Sequence, residues 1–171
     1  MTHKDLIVNA HRNMLRTLDG LLSKAAAHEK GDALLGAKLA DDMLPLSTQV
    51  RFLCNMPGEA MARLIGLNFT SVEEDPATIA DARAMIEGRL ADIEQWSAQE
   101  FIAEDKAIEL VIPNGMAFDL TAGEYVRDWA VPQFYFHATT AYAILRSEGL
   151  DIGKADFVGY MFRYLRQPAT G

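Results

Sequence analysis

Between Thr121 and Glu148 the chain is apolar on nearly every side. Tyr125, Trp129, Val131, Phe134, Phe136, Ala141, Tyr142, Ile144 and Leu145 fall at helical spacings that leave no continuous wet face. A helix of that composition has to be covered on several sides, so it is expected at the centre of whatever the chain builds. Thr121 and Glu124 form a capping box at its start, and Gly149 is its stop. Pro132 lies inside it and predicts a kink, because proline gives up a ladder donor and crowds the preceding turn.

The cover must come from the rest of the chain. A first helix is predicted from about His3 to His28, with Ile7, His11, Met14, Leu18, Leu21 and Ala25 on its apolar stripe, and Gly31-Asp32 breaks it. A second is predicted from near Ala33, on Leu35, Leu39, Asp42, Leu46, Val50 and Leu53, with a kink at Pro45. Asn55-Met56-Pro57-Gly58 marks a break, and Glu59 to Leu67 reads as one more short helix. The third takes Asp75 as N-cap and Pro76 at its first position, with Ile79, Ala82, Ile86, Leu90, Ile93 and Trp96 inward.

Before the fourth helix the period changes to two. Ile108, Leu110 and Ile112 alternate, as do Met116, Phe118 and Leu120. A two-residue Asn-Gly turn would put the two sets on opposite faces. A three-residue loop, Pro113-Asn114-Gly115, pairs 112 with 116, 110 with 118 and 108 with 120, and all share one face. The tail, Asp151 to Gly171, carries Phe157, Tyr160, Phe162, Tyr164 and Leu165 and is expected to pack back on the helices. The 171 residues then make one all-α domain, a four-helix bundle with a small β-hairpin between helices three and four, long enough for a real core.

Charge narrows the function classes. The formal net charge is -8, with 16 Lys and Arg scattered among 24 Asp and Glu. Replacing counterions around phosphates takes clustered cations, so nucleic acid and anionic membranes are disfavoured partners. No apolar run of about 18 residues occurs, so no spanning helix is expected. The start, MTHKDLIVNAHRN, lacks a signal-peptide pattern. One cysteine, Cys54, cannot form an intrachain disulfide and reads as a packed thiol. These features predict a cytoplasmic protein.

Three polar residues fall on apolar stripes: His11, Asp42 and His137. A buried polar side chain costs about 1–3 kcal/mol unless partnered. They read either as a satisfied core hydrogen bond, with Asp42 holding an imidazole N–H, or as a metal or ligand site. Strong metal signatures fail. Around His137, Gln133 and Ala141 stand where a second histidine would, and Ile7 and Leu15 do so around His11. No Glu-x-x-His pair occurs, because Val8, Ala25 and Phe134 precede His11, His28 and His137 by three. Gly149-Leu-Asp-Ile-Gly153-Lys154-Ala155 lacks the spacing and the Ser or Thr of a phosphate loop. Trp129, Phe134 and Tyr142 are candidate pocket walls, since bundle interiors host ligand sites.

Three motifs carry a family likeness: Asp42-Met43-x-Pro45-Leu46-x-x-Gln49, then Pro132-x-Phe134-x-Phe136-His137-x-x-x-Ala141-Tyr142-x-Ile144-Leu145-Arg146, then Gly149-x-x-x-Gly153-Lys154-x-Asp156-Phe157-x-Gly159. Together they resemble a bacterial family of unknown function in the DinB/YfiT-like superfamily. The resemblance implies a four-helix bundle, often a homodimer. It also implies kinship with metal-dependent proteins, among them thiol-dependent transferases and isomerases. Those relatives hold a divalent metal with one histidine from the second helix and two, four residues apart, from the fourth. Here the fourth helix offers His137 and Ala141, and the second offers Asp42 in place of a histidine. One ligand of three carries over.

The leading expectation is a small-molecule-binding bundle, metal-free or a degenerate enzyme, with His11, Asp42 and His137 as polar groups and Trp129, Phe134 and Tyr142 as walls. The alternatives are a zinc- or nickel-dependent transferase or hydrolase and a structural or partner-binding homodimer. No tightly bound metal is expected. A dimer is expected because the fourth helix and the tail carry more apolar surface than one bundle can cover. Asp42 and His137 are expected within hydrogen-bond reach.

Overall fold

The first helix starts where the sequence caps it, in a computed structural model that describes residues 1–166. Thr2 Oγ1 accepts from the Asp5 N–H at 3.1 Å, and the Asp5 carboxylate accepts from the Thr2 N–H at 3.0 Å. This box opens α1, His3–Ala26, and the whole predicted stripe of α1 is buried.

The second helix is where the sequence expectation fails. Gly31–Gly36 is a short 3-10 turn, an irregular stretch follows, and α2 runs unbroken from Leu46 to Leu64. Pro45 is the residue before the helix rather than a kink within it, so its missing N–H costs the ladder nothing. Pro57, expected at a break, lies inside α2. The Arg89 guanidinium donates to the Cys54 carbonyl at 2.6 Å, supplying a side-chain donor in the turn that the proline disturbs. Cys54 is buried, and burial pushes its thiol up to about 12, well outside the reactive range.

Helix α3, Ile79–Trp96, is capped by Thr78 and Asp81, not by Asp75. Asp75 instead serves α2. Its carboxylate accepts from Ser47 Oγ at 3.2 Å, Thr48 Oγ1 at 2.5 Å and Arg51 Nε at 2.6 Å, all on the first turns of that helix. Desolvation pushes the Asp75 carboxyl up, but the hydrogen bonds from Thr48, Arg51 and Ser47 together outweigh it and hold the carboxyl below its usual range. A carboxylate beside a helix start also suits the dipole there.

The hairpin has the register the alternation predicts. Strands β1, Ala107–Val111, and β2, Ala117–Thr121, pair antiparallel with Ile108 opposite Leu120 and Leu110 opposite Phe118. Ile112 donates to the Met116 carbonyl at 3.0 Å, and Gly115 takes φ 86°, the left-handed position of the three-residue loop.

Beyond β2 the chain turns helical through α4, Ala122–Glu124, a π segment, Tyr125–Ala130, and α5, Val131–Ser147. The capping box Thr121–Glu124 is present, and Gly149 ends the helix at φ 95°. Pro132 stands two residues past the end of the π segment, in the first turn of α5. Its ring and missing N–H disturb the ordinary ladder, and the wider turn absorbs that disturbance.

Four helices close a ring in the order α1, α3, α2, α5, each packed on the next and α5 back on α1. Consecutive α1 and α2 therefore stand at diagonal corners. The apolar fourth helix is a corner too, not the centre: Phe134 and Ile144 are fully buried, while Phe136 is 60% exposed. The tail forms α6, Lys154–Phe157, and a 3-10 turn, Gly159–Tyr164. Lys24 on α1 pairs with Asp156 at 2.6 Å, and Phe157 and Tyr160 pack against the core. Phe162, Tyr164 and Leu165 are exposed, and the last five tail residues, 167–171, lie outside the described residues. No helix among the described residues is long and apolar enough to cross a membrane.

Candidate functional site

Two helix faces and one strand end border an open-sided cavity of about 270 Å³. From α2 come Phe52, Met56, Glu59 and Arg63, spaced by four, three and four along one face. From the π segment and α5 come Tyr125, Trp129, Gln133 and His137, each four residues after the last. In an α-helix, steps of four drift about 40° each around the axis. The wider π turn between Tyr125 and Ala130 reduces that drift and keeps the four side chains on one wall. Leu110, Val111, Ile112 and Pro113, at the end of β1, close the third side.

His137 is held by a partner the sequence motif contains. Its Nδ1 lies 2.7 Å from the Oε1 of Gln49, which is buried in the first turn of α2. The Gln49 amide nitrogen donates to the Leu44 carbonyl at 3.2 Å, so its oxygen is the end turned to the imidazole. An amide oxygen only accepts, so Nδ1 carries the proton. Nε2 is then an acceptor, and among the described residues it makes no hydrogen bond and is not sealed from solvent. Edges of Phe52 and Phe136 flank the ring, each with centroids 5.2 Å away. Burial holds the imidazole below its usual range, so at neutral pH it is uncharged.

The opposite wall carries charge. Arg63 Nη1 donates to the Glu59 carbonyl at 2.9 Å, and the guanidinium lies 5.7 Å from the Tyr125 ring centre. Burial raises the Tyr125 phenol, with Arg63 opposing the shift. Glu59 Oε1 accepts from Ser71 Oγ at 2.7 Å. Trp129 stacks on Phe118 of β2 at 6.5 Å, which ties the hairpin to the cavity wall.

Of the six residues the sequence offers, the structure brings two to this cavity, Trp129 and His137. His11 is 1% exposed in the core, with its ring 4.4 Å from that of Phe134 and its Nδ1 without a hydrogen-bond partner among the described residues. Phe134 is fully buried beside it and does not line this cavity. Tyr142 faces Phe157 of α6, centroids 5.5 Å apart. Asp42 sits exposed in the turn before α2, so it is neither inward nor the partner of His137; Gln49 is. The stripe that placed Asp42 inward ran through a segment that is not a helix.

The sequence reading missed Glu59, Arg63, Tyr125 and Gln133. Their signal was present as two charged residues four apart after Pro57 and a run of four polar or aromatic residues four apart around Pro132. The proline-marked break hid the first, and the assumption of a central helix hid the second.

The three-histidine metal centre of the superfamily does not fit these residues. His137 donates its Nδ1 proton to an amide, Ala141 has no donor atom, and His11 and Asp42 lie elsewhere. Among the described residues no three His, Cys, Asp or Glu side chains gather where an ion could sit. What the cavity does offer is apolar walls, one cation, one carboxylate and one oriented imidazole acceptor.

Residues 4–158 match the family model of a domain of unknown function, DUF1993. The fold is similar to the crystal structure of a DinB family member protein from Shewanella denitrificans, at 32% identity and a TM-score of 0.77, over 96% of this chain and 95% of that one. No curated protein matches the chain.

Proposed function

The chain belongs to the DUF1993 family of unknown function, and from that premise we propose that it binds a small molecule in the cavity between α2, the hairpin and the π segment. The observation that carries this reading is His137. Gln49 fixes its ring and tautomer, yet the acceptor nitrogen has no partner among the described residues and is not sealed from solvent, on a side chain that lines the cavity. An imidazole needed only for packing is expected to be covered as His11 is, at 1% exposure. An oriented acceptor among apolar and aromatic walls is the usual composition of a ligand site. The volume, about 270 Å³, sits at the small end for such sites and suits a single-ring molecule.

A library of single-ring fragments screened by protein-observed NMR tests this. Binders are expected to shift the methyls of Met56 and Ile112 and the indole of Trp129. Replacing His137 with Ala should weaken those binders about tenfold, the worth of one lost hydrogen bond. Fragments that bind only elsewhere, or that ignore the substitution, would contradict the proposal.

A further inference from the structure

We infer that the ligand carries a single carboxylate, seated on Arg63, with an apolar ring lying toward Trp129 and a hydrogen-bond donor reaching His137. This rests on the cavity reading above and assigns the chemical class of its occupant.

The two charges on the α2 wall are not equivalent. Glu59 already accepts a hydrogen bond from Ser71 at 2.7 Å. Arg63 is half-buried and spends one N–H on a backbone carbonyl of its own helix. Among the described residues it has no carboxylate within ion-pair distance. The guanidinium has five donors in a planar fork, and the shape that satisfies two of them at once is a carboxylate. Its half-buried position, with the Tyr125 ring centre 5.7 Å away, makes an ion pair there stronger than one in open water.

Glu59 decides between kinds of anion. It lines the same cavity, so a second negative charge on the ligand would meet a carboxylate. That favours a monoanion over a phosphate dianion. The hairpin side contributes only Leu110, Val111, Ile112 and Pro113, and the neutral His137 adds no charge. Among the described residues Arg63 is thus the one cation lining the cavity. An imidazole acceptor across from it calls for an N–H or O–H on the ligand.

A matched set of probes, each with a phenol O–H as the donor, separates the possibilities: 4-hydroxyphenylacetate, 4-hydroxyphenylacetamide and tyramine, titrated at low salt and followed by NMR. The expected order puts the carboxylate about tenfold or more ahead of the amide, with the amine weakest. Arg63→Gln should bring the carboxylate down to the level of the amide, and Arg63→Lys should recover only part of the loss, because it restores charge without the fork. Amide binding by Arg63→Gln shows that the variant is folded. If the amide equals the carboxylate, or the amine binds best through Glu59, the class assigned here is wrong while the cavity still binds. If none of the three binds, both this inference and the proposed function fall.

Discussion

His11 and His137 face different seams of one bundle. The seam between α1 and α5 is closed: the His11 ring is tilted against that of Phe134, centroids 4.4 Å apart, and is 1% exposed. The seam between α2 and the π segment with α5 is held apart by the hairpin, and His137 borders the space. Both residues lie on apolar helical stripes. The stripe tells burial; it does not tell role. Role follows from what the second nitrogen meets, and that is set by residues far away in the chain.

The contrast has its largest expected effect in acid. Burial lowers the folded His11 value to about 3 from an ordinary 6.5, so between those pH values the unfolded chain binds the extra proton. Stability due to the neutral ring is fully present above 6.5 and is lost as pH falls towards 3. By about pH 4 the loss should reach about 3 kcal/mol. His11→Leu should remove it, so urea midpoints of the variant fall less than those of the parent between neutral and acid pH. His137 shifts in the same direction through partial burial and should leave a smaller residue of acid loss in that variant. Parallel curves for parent and variant would break the contrast between the two seams.

How much of this was legible in the sequence differs between the same regions. On the closed side, the α1 stripe from Ile7 to Ala25 is buried as its period predicts. The hairpin register, the Thr121–Glu124 cap and the Gly149 stop were equally readable, because each rests on local chemistry. The open side was misread wherever proline met a periodic pattern. Leu35, Leu39 and Asp42 keep helical spacing, yet Leu39 and Asp42 lie in the irregular stretch before α2. Spacing cannot distinguish a helix from a loop that Pro45 straightens. Pro57 reads as a stop, but α2 continues through it, with Arg89 bonded to the carbonyl of Cys54, 35 residues earlier, and carries Glu59 and Arg63 to the cavity. Such tertiary partners are absent from any local window.

A smaller effect tests the His137 partner. Removing Gln49 strands the Nδ1 proton, and removing His137 strands the amide oxygen, so each alanine variant should cost about 1–2 kcal/mol. Their double-mutant cycle should show coupling of about 1 kcal/mol, because the two losses are one interaction. Asp42→Ala should change stability by no more than about 0.5 kcal/mol and should add independently to His137→Ala. Coupling of His137 to Asp42 rather than to Gln49 would restore the pairing that the sequence suggested and undo the geometry described here.

The central claim is that His137 presents a neutral, oriented acceptor to the cavity. Long-range nitrogen–proton correlation NMR of the histidine side chains reads this directly, assigned through His137→Ala. At neutral pH the His137 spectrum should show a protonated Nδ1 and an unprotonated Nε2. A protonated Nε2 with a bare Nδ1, or a fully charged imidazolium at that pH, would contradict the account.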